Sequence, residues 1–267
     1  MTNPAAILPD NIDNRHSGVP VVQMEHLKKS FGNNHVLRDF NLVMHKGENI
    51  VVLGQSGTGK SVLIKSIVGL VDLDEGRLVI LGKDVSELKE KELIELRRRI
   101  GFLFQSGALY DSMTVRENLE FPLRHKAHTI PKDKMDSIVK EALEHVGLAK
   151  TIDEMPVELS GGMRKRLGLA RTLILRPEIM LYDEPTTGLD PITSREISEL
   201  ILQTQKIYDT SSIIITHDID CARHVANRIM VVKDGKCAAE GSFADLEKSP
   251  DPWIRSFFDK HKAIEES

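Results

Sequence analysis

Gly54-Gln55-Ser56-Gly57-Thr58-Gly59-Lys60-Ser61 sets glycines, a lysine and a hydroxyl in the spacing Gly-x-x-x-x-Gly-Lys-Ser. That is the pattern of a phosphate-binding loop. Its glycines let the chain turn tightly and aim backbone N–H groups at anionic oxygens. A helix starting at its end adds a partial positive charge. Lys60 then reaches the β- and γ-phosphates of a nucleoside triphosphate, and the Ser61 hydroxyl is placed to ligate Mg²⁺. A second constellation ends an apolar run at 179–182 with Asp183-Glu184. Asp183 suits a Mg²⁺ ion held through its water shell. Glu184 suits the orientation and deprotonation of an attacking water, help that contributes about 10²–10⁴ in rate. Taken alone, the pair is also what an ordinary acidic turn after a strand looks like; the phosphate loop upstream favours the chemical reading.

For this chemistry the loop has to stand between a strand and a helix. Residues 50–53 are apolar and β-branched, and Val62, Leu63, Ile67 and Val68 recur at helical spacing. Other strand-type runs lie at 21–27, 36–44, 78–81, 100–104, 179–182, 213–216 and 229–232, with hairpin-type turns at Gly32-Asn33-Asn34 and Lys233-Asp234-Gly235-Lys236. Helical patterns occupy 87–99, 162–175, 192–208 and 219–226. Strands alternating with helices predict an α/β fold with a mostly parallel sheet covered on both faces and an antiparallel β part at the N-terminus. Between Gln105 and Ser160 the strand signals vanish, and helical pieces appear at 115–121 and 132–146. This block reads as a helical subdomain, about 106–170, inserted in the core. Residues 1–20 read as a flexible tail, 21–248 as the main domain, and 249–267 as a tail with a short helix. The helical spacing of Trp253, Ile254, Phe257 and Phe258 favours packing on their own subunit, with a neighbouring subunit as the alternative.

Composition narrows the class. A chain of 267 residues, 40% hydrophobic, buries enough for one large or two small domains. Its net charge of −4 offers no broad basic surface, which argues against nucleic acid as a partner. The Arg97-Arg98-Arg99 run reads as a solvated face. Cys221 and Cys237 make neither a disulfide framework nor a metal spacing and fit inert thiols in a reducing compartment. The histidines are scattered and give no zinc pattern. No apolar run approaches the roughly 18 residues that span a bilayer, and the first residues lack a secretion signal. The expectation is a cytosolic protein, with any membrane part supplied by another chain.

Further residues make the pattern specific. Phe31, Gln105, Leu159-Ser160-Gly161-Gly162-Met163, Gly188-Leu189-Asp190-Pro191 and His217 join the two constellations in an order and spacing, from about Val21 to Gly241, that resembles the ATP-binding cassette (ABC) ATPases. The resemblance implies a P-loop NTPase-type fold, ATP and Mg²⁺ as cofactors, and a homodimer paired head to tail with ATP between the subunits. On that pattern Phe31 stacks on adenine, a core position being its alternative, and Val62 joins the loop residues at the nucleotide. Gln105 ligates Mg²⁺ and senses the γ-phosphate. Ser160, Gly161 and Gly162, at a helix start, offer a hydroxyl and amides to the partner's γ-phosphate, and Asp190 touches the opposite subunit. His217 hydrogen-bonds the γ-phosphate. Glu184, His217 and Lys60 form the catalytic set, and Ser61, Gln105 and Asp183 the metal set. Val62 stands where a threonine is common in the family, so weaker nucleotide contact, not loss, is expected; Met163 stands where a glutamine is usual, which leaves contact with the γ-phosphate or ribose to the backbone donors of Gly161 and Gly162.

The segment 106–115, with Phe121-Pro122-Leu123-Arg124, Asp190-Pro191-Ile192-Thr193 and Met163, resembles the Mla-type phospholipid-transport ATPases. That resemblance implies a separate permease, a lipid-binding MCE-type substrate protein, and a peripheral place on the cytoplasmic face of a bacterial inner membrane. Closure on ATP and opening on hydrolysis would pass motion from the helical subdomain, hinged near Gln105, to a permease helix. An importer motor for a polar solute and a soluble ABC-type regulator are the rival readings.

Overall fold

The structure is a computed structural model that describes residues 18–55, 57–126 and 130–259. Most of the expected N-terminal tail, the last eight residues and Ser56 lie outside the described residues.

Two sheets share the strands. The first is antiparallel, ordered β2-β1-β4-β5, from β1 (Pro20–Phe31), β2 (Asn34–His45), β4 (Glu75–Ile80) and β5 (Lys83–Asp84). Phe31 pairs with Asn34, so Gly32-Asn33 is the two-residue turn between β1 and β2. The second sheet contains β3 (Asn49–Gly54), β6 (Ile100–Leu103), β7 (Ile179–Asp183), β8 (Ser211–Ile215), β9 (Arg228–Lys233) and β10 (Lys236–Gly241), in the order β10-β9-β3-β8-β7-β6. Its pairs are parallel except β10 on β9, an antiparallel edge.

Every residue of β3 and β8 is buried, as expected of parallel strands covered on both faces. Side chains alternate between the faces, so one strand feeds two cores. Ile50 and Val52 face the antiparallel sheet and α1 (Lys60–Ile67), whose Leu63, Ile64 and Ile67 are buried there. The small helix α2 (Glu90–Arg97) adds Leu96 to this core. Val51 and Leu53 face the larger cluster. There α3 (Val115–Lys126), α4 (Lys132–His145), α5 (Gly161–Leu173), α6 (Pro191–Tyr208) and α7 (Ile219–Val225) bury their apolar stripes with α8 (Phe243–Glu247) and α9 (Pro252–Asp259).

Three local findings differ from or extend the sequence reading. The helical pattern at 115–121 stops before Pro122, yet α3 continues through it to Lys126. An internal proline removes a hydrogen bond and costs about 3 kcal/mol; burial of Leu119 and Leu123 on the same helix offsets it. In the arginine run, Arg99 makes a two-pronged bond to Glu178 (2.5 and 2.8 Å), Arg98 pairs with Glu95, and Arg97 donates to the Gly69 carbonyl. Ile254 and Phe258 of α9 are buried in the larger core, so this helix packs on its own chain.

Candidate functional site

Parallel neighbours end on the same edge of their sheet, and ligands bind outside the carboxyl ends of such strands. Here β3, β7 and β8 deliver Gly54, Asp183-Glu184 and, two residues beyond Ile215, His217 to one edge. A cleft of about 770 Å³ opens there.

The loop after β3 depends on glycine. Gly59 has φ +95°, and a Cβ on it would lie 2.8 Å from the Val36 carbonyl oxygen. It is also the residue before α1, with no side chain to cap the first helical N–H groups, which leaves them to an anion. Thr58 Oγ1 donates to the Gln55 carbonyl at 2.8 Å and braces the loop from within. Lys60 is buried, and its Nζ donates to the carbonyls of Gly54 (2.8 Å) and Gln55 (2.9 Å). Burial holds its pKa below the ordinary lysine value, against the pull of Glu184 and Asp183.

Ser61 Oγ donates to Asp183 Oδ1 at 3.2 Å, and Gln105 lines the same cleft. Mg²⁺ is bound through one or two carboxylates with phosphate oxygens and waters, not by an all-protein cage. A hydroxyl, a carboxylate and an amide at the mouth of a phosphate loop fit that ion. Among the described residues no cluster of three or more His, Cys, Asp or Glu forms a cage.

Glu184 follows directly on Asp183 with φ +52°, a left-handed conformation. Its N–H donates to the Ile215 carbonyl at 2.9 Å. Its Oε2 accepts from Thr187 Oγ1 at 3.2 Å and lies 2.8 Å from His217 Nδ1. The carboxylate is 17% exposed and the imidazole 68%. A mostly buried carboxylate thus touches an exposed imidazole. Both residues of the pair line the cleft beside Lys60 and Asp183.

Phe31 is half exposed and lines the cleft, so it is not a core side chain. Gln55, Gly57 and Val62 line it too. Four residues that the sequence did not mark for the site also do so: Val36, Thr187, Ile215 and Phe257. For Phe257 the only sequence signal was the apolar spacing of its helix.

Ser160, Gly161, Gly162 and Asp190 are not among the cleft-lining residues. They form a second group. Ser160 caps α5 by accepting from the Met163 N–H at 3.3 Å. Asp190 caps α6, accepting from the N–H groups of Ile192 and Thr193 and from Thr193 Oγ1. Those bonds hold its carboxyl below the usual range. A Cβ on Gly162 would lie 2.5 Å from Thr193 Cγ2, so the first turns of α5 and α6 pack closely. Ser160, Gly161 and Asp190 face solvent, whereas Met163 packs against the larger core. Burial pushes the thiols of Cys221 and Cys237 up to about 12, well away from reactivity near neutral pH.

A family described as ABC transporter matches residues 37–187. The chain is 42% identical over 237 residues to a probable ribonucleotide transport ATP-binding protein of Mycobacterium tuberculosis, with 88% of this chain and 66% of that protein covered. It therefore spans just under two thirds of that relative's length. It is 36% identical over 237 residues to the intermembrane phospholipid transport system ATP-binding protein MlaF of Haemophilus influenzae, with 89% of each covered. Among solved structures it is similar to the ATP-binding cassette MJ0796 in a dimeric post-hydrolysis state bound to ADP and Pi. The TM-score is 0.75 at 32% identity, covering 83% of this chain and 98% of that one. No described helix is long and apolar enough to cross a membrane.

Proposed function

The chain belongs to the ABC transporter family as an ATP-hydrolysing cassette, and from that premise we propose that it is the motor subunit of a phospholipid transporter. The observation that carries the catalytic part is the meeting of Lys60, Ser61, Asp183, Glu184 and His217 in one cleft, with the Ser160 group held outside it.

The phosphate loop and Lys60 bind the triphosphate, and its γ-phosphate takes Lys60 away from the Gly54 and Gln55 carbonyls. Phe31 and Phe257 flank the base. Ser61, Asp183 and Gln105 hold Mg²⁺, which when bound neutralises charge on the phosphates. Glu184 orients a water and accepts its proton, and His217 shares that proton and steadies the γ-phosphate. Two copies pair head to tail, each offering the exposed Ser160-Gly161 turn to the other's γ-phosphate, with Asp190 at the seam. The dimeric state of MJ0796 supports this pairing.

The similarity to MlaF supports a phospholipid cargo, a separate membrane permease, an MCE-type lipid-binding partner and a peripheral site on the cytoplasmic face of an inner membrane. The mycobacterial relative supports a second reading, a polar solute such as a ribonucleotide as cargo.

Turnover by the chain assembled with its permease tests the first part. Wild-type turnover is expected to exceed that of Glu184→Gln by about 10²-fold or more; equal rates sink the catalytic assignment. ATP-dependent transfer of labelled phospholipid between vesicles by that complex tests the cargo. ATP-dependent accumulation of a labelled ribonucleoside in vesicles carrying the complex, without phospholipid transfer, would favour the second reading.

A further inference from the structure

Lys165 lies in α5, five positions after Ser160, and is 8% exposed. A buried ammonium is costly unless its protons are taken up. Its Nζ donates to two backbone carbonyls, those of Gln105 and, at 3.4 Å, Glu184. One belongs to the residue placed to sense the γ-phosphate and the other to the residue placed to orient water. Packing alone does not call for a charge here, because a methionine fills a similar volume without the desolvation cost.

The contact begins a series along one face of α5. At Gly168 a Cβ would lie 3.0 Å from the Gly107 carbonyl oxygen and 3.2 Å from Gly107 Cα, so the two backbones run close together here and a side chain would crowd them. At Arg171, Nη1 donates to the Ala108 carbonyl and the guanidinium stacks 4.4 Å from the Tyr110 ring centre. Positions three apart share a helix face. The helix that starts at Ser160 therefore carries the segment from Gln105 to Tyr110 along its side, and Lys165 in addition reaches the end of β7. Glu184 needs such support. Its left-handed backbone is strained outside glycine and persists only when its surroundings fix it. Ile215 fixes the N–H; Lys165 and the Thr187 N–H, at 3.3 Å, fix the carbonyl.

We propose that Lys165 is a positioning residue for ATP hydrolysis. Its ammonium ties the Gln105 backbone to the Glu184 backbone, so that sensing amide and water-orienting carboxylate keep one geometry across the cleft. It acts through these two carbonyls. The proposal rests on the reading of Glu184 given above, and the test separates the two.

Lys165→Met keeps length and loses the donors, whereas Lys165→Gln and Lys165→Arg keep donors. All are assayed as full chains in the assembled complex, beside wild type and Glu184→Gln. Misplacing reacting groups by about 1 Å costs on the order of 100-fold. The expected result is a fall in kcat for Lys165→Met of about 10–100-fold. KM for ATP and binding of a fluorescent ATP analogue should stay within about threefold, with kcat recovering to within about tenfold of wild type in at least one donor-keeping variant. An unchanged kcat in Lys165→Met overturns the proposal. So does a loss of kcat and ATP binding together, unrescued by Gln or Arg, since that is what a packing role gives. If Lys165→Met does not fold, Lys165→Arg decides: kcat within about tenfold of wild type supports the proposal, and a fall to the Glu184→Gln level overturns it. Wild-type turnover no higher than that of Glu184→Gln would instead strike at the assignment of Glu184.

Discussion

At the scale of single residues, the groups that do the chemistry are few and their types are constrained by the reaction. A triphosphate needs backbone N–H groups, a cation and a hydroxyl in fixed sequence, so Gly54 to Ser61 announce themselves. Asp183 and Glu184 were legible for the same reason. Phe257 was not, because it joins the cleft only through the way α9 packs, and an aromatic on an amphipathic helix carries no mark of what its edge touches. Lys165 was not singled out, because a lysine between Arg164 and Arg166 carries no mark of burial in the sequence; the packing of α5 against the Gly107 backbone accompanies it. Phe31→Ala and Phe257→Ala are each expected to weaken ATP binding by about three- to tenfold, the range of an aromatic contact, in a fluorescent-nucleotide titration. If Phe257→Ala leaves affinity unchanged, α9 does not wall the base site.

At the scale of elements, periodicity located the strands of the parallel sheet because burial on both faces leaves continuous apolar runs. It did not locate β10, whose alternating Lys236–Gly241 carries small and charged residues and owes its place to pairing with β9. Nor did it carry α3 through Pro122, where packing overrides propensity. Pro122→Ala should therefore stabilise the chain, by up to about 3 kcal/mol, seen as a higher urea midpoint; a lower midpoint would mean that the bend is needed for packing. Phe258 is completely buried. Phe258→Ala is expected to cost about 3–5 kcal/mol in the same measurement. It should also loosen nucleotide binding, because Phe257 is its neighbour on α9.

At the scale of the whole molecule, the described chain presents a cleft and, outside it, a turn at Ser160 that faces solvent, the two halves that the proposed pairing would bring together. Glu184→Gln with ATP is expected to run as a dimer in light scattering after gel filtration, and adding Ser160→Arg to return it to a monomer. A dimer that survives Ser160→Arg would remove the turn from the seam. The sequence could place both groups in order along the chain but not say that the turn stands outside the cleft, because that follows from where α5 packs. The central position of β3 has a further outcome. Its partners are β8 and β9, and Asn49 bonds Asn227 across 178 positions. A ribosome adding about 5–20 residues per second thus exposes the phosphate loop for roughly 10–35 s before the strands that flank it exist. During translation the loop is bare, and affinity for nucleotide arises late, when the last third of the chain has emerged.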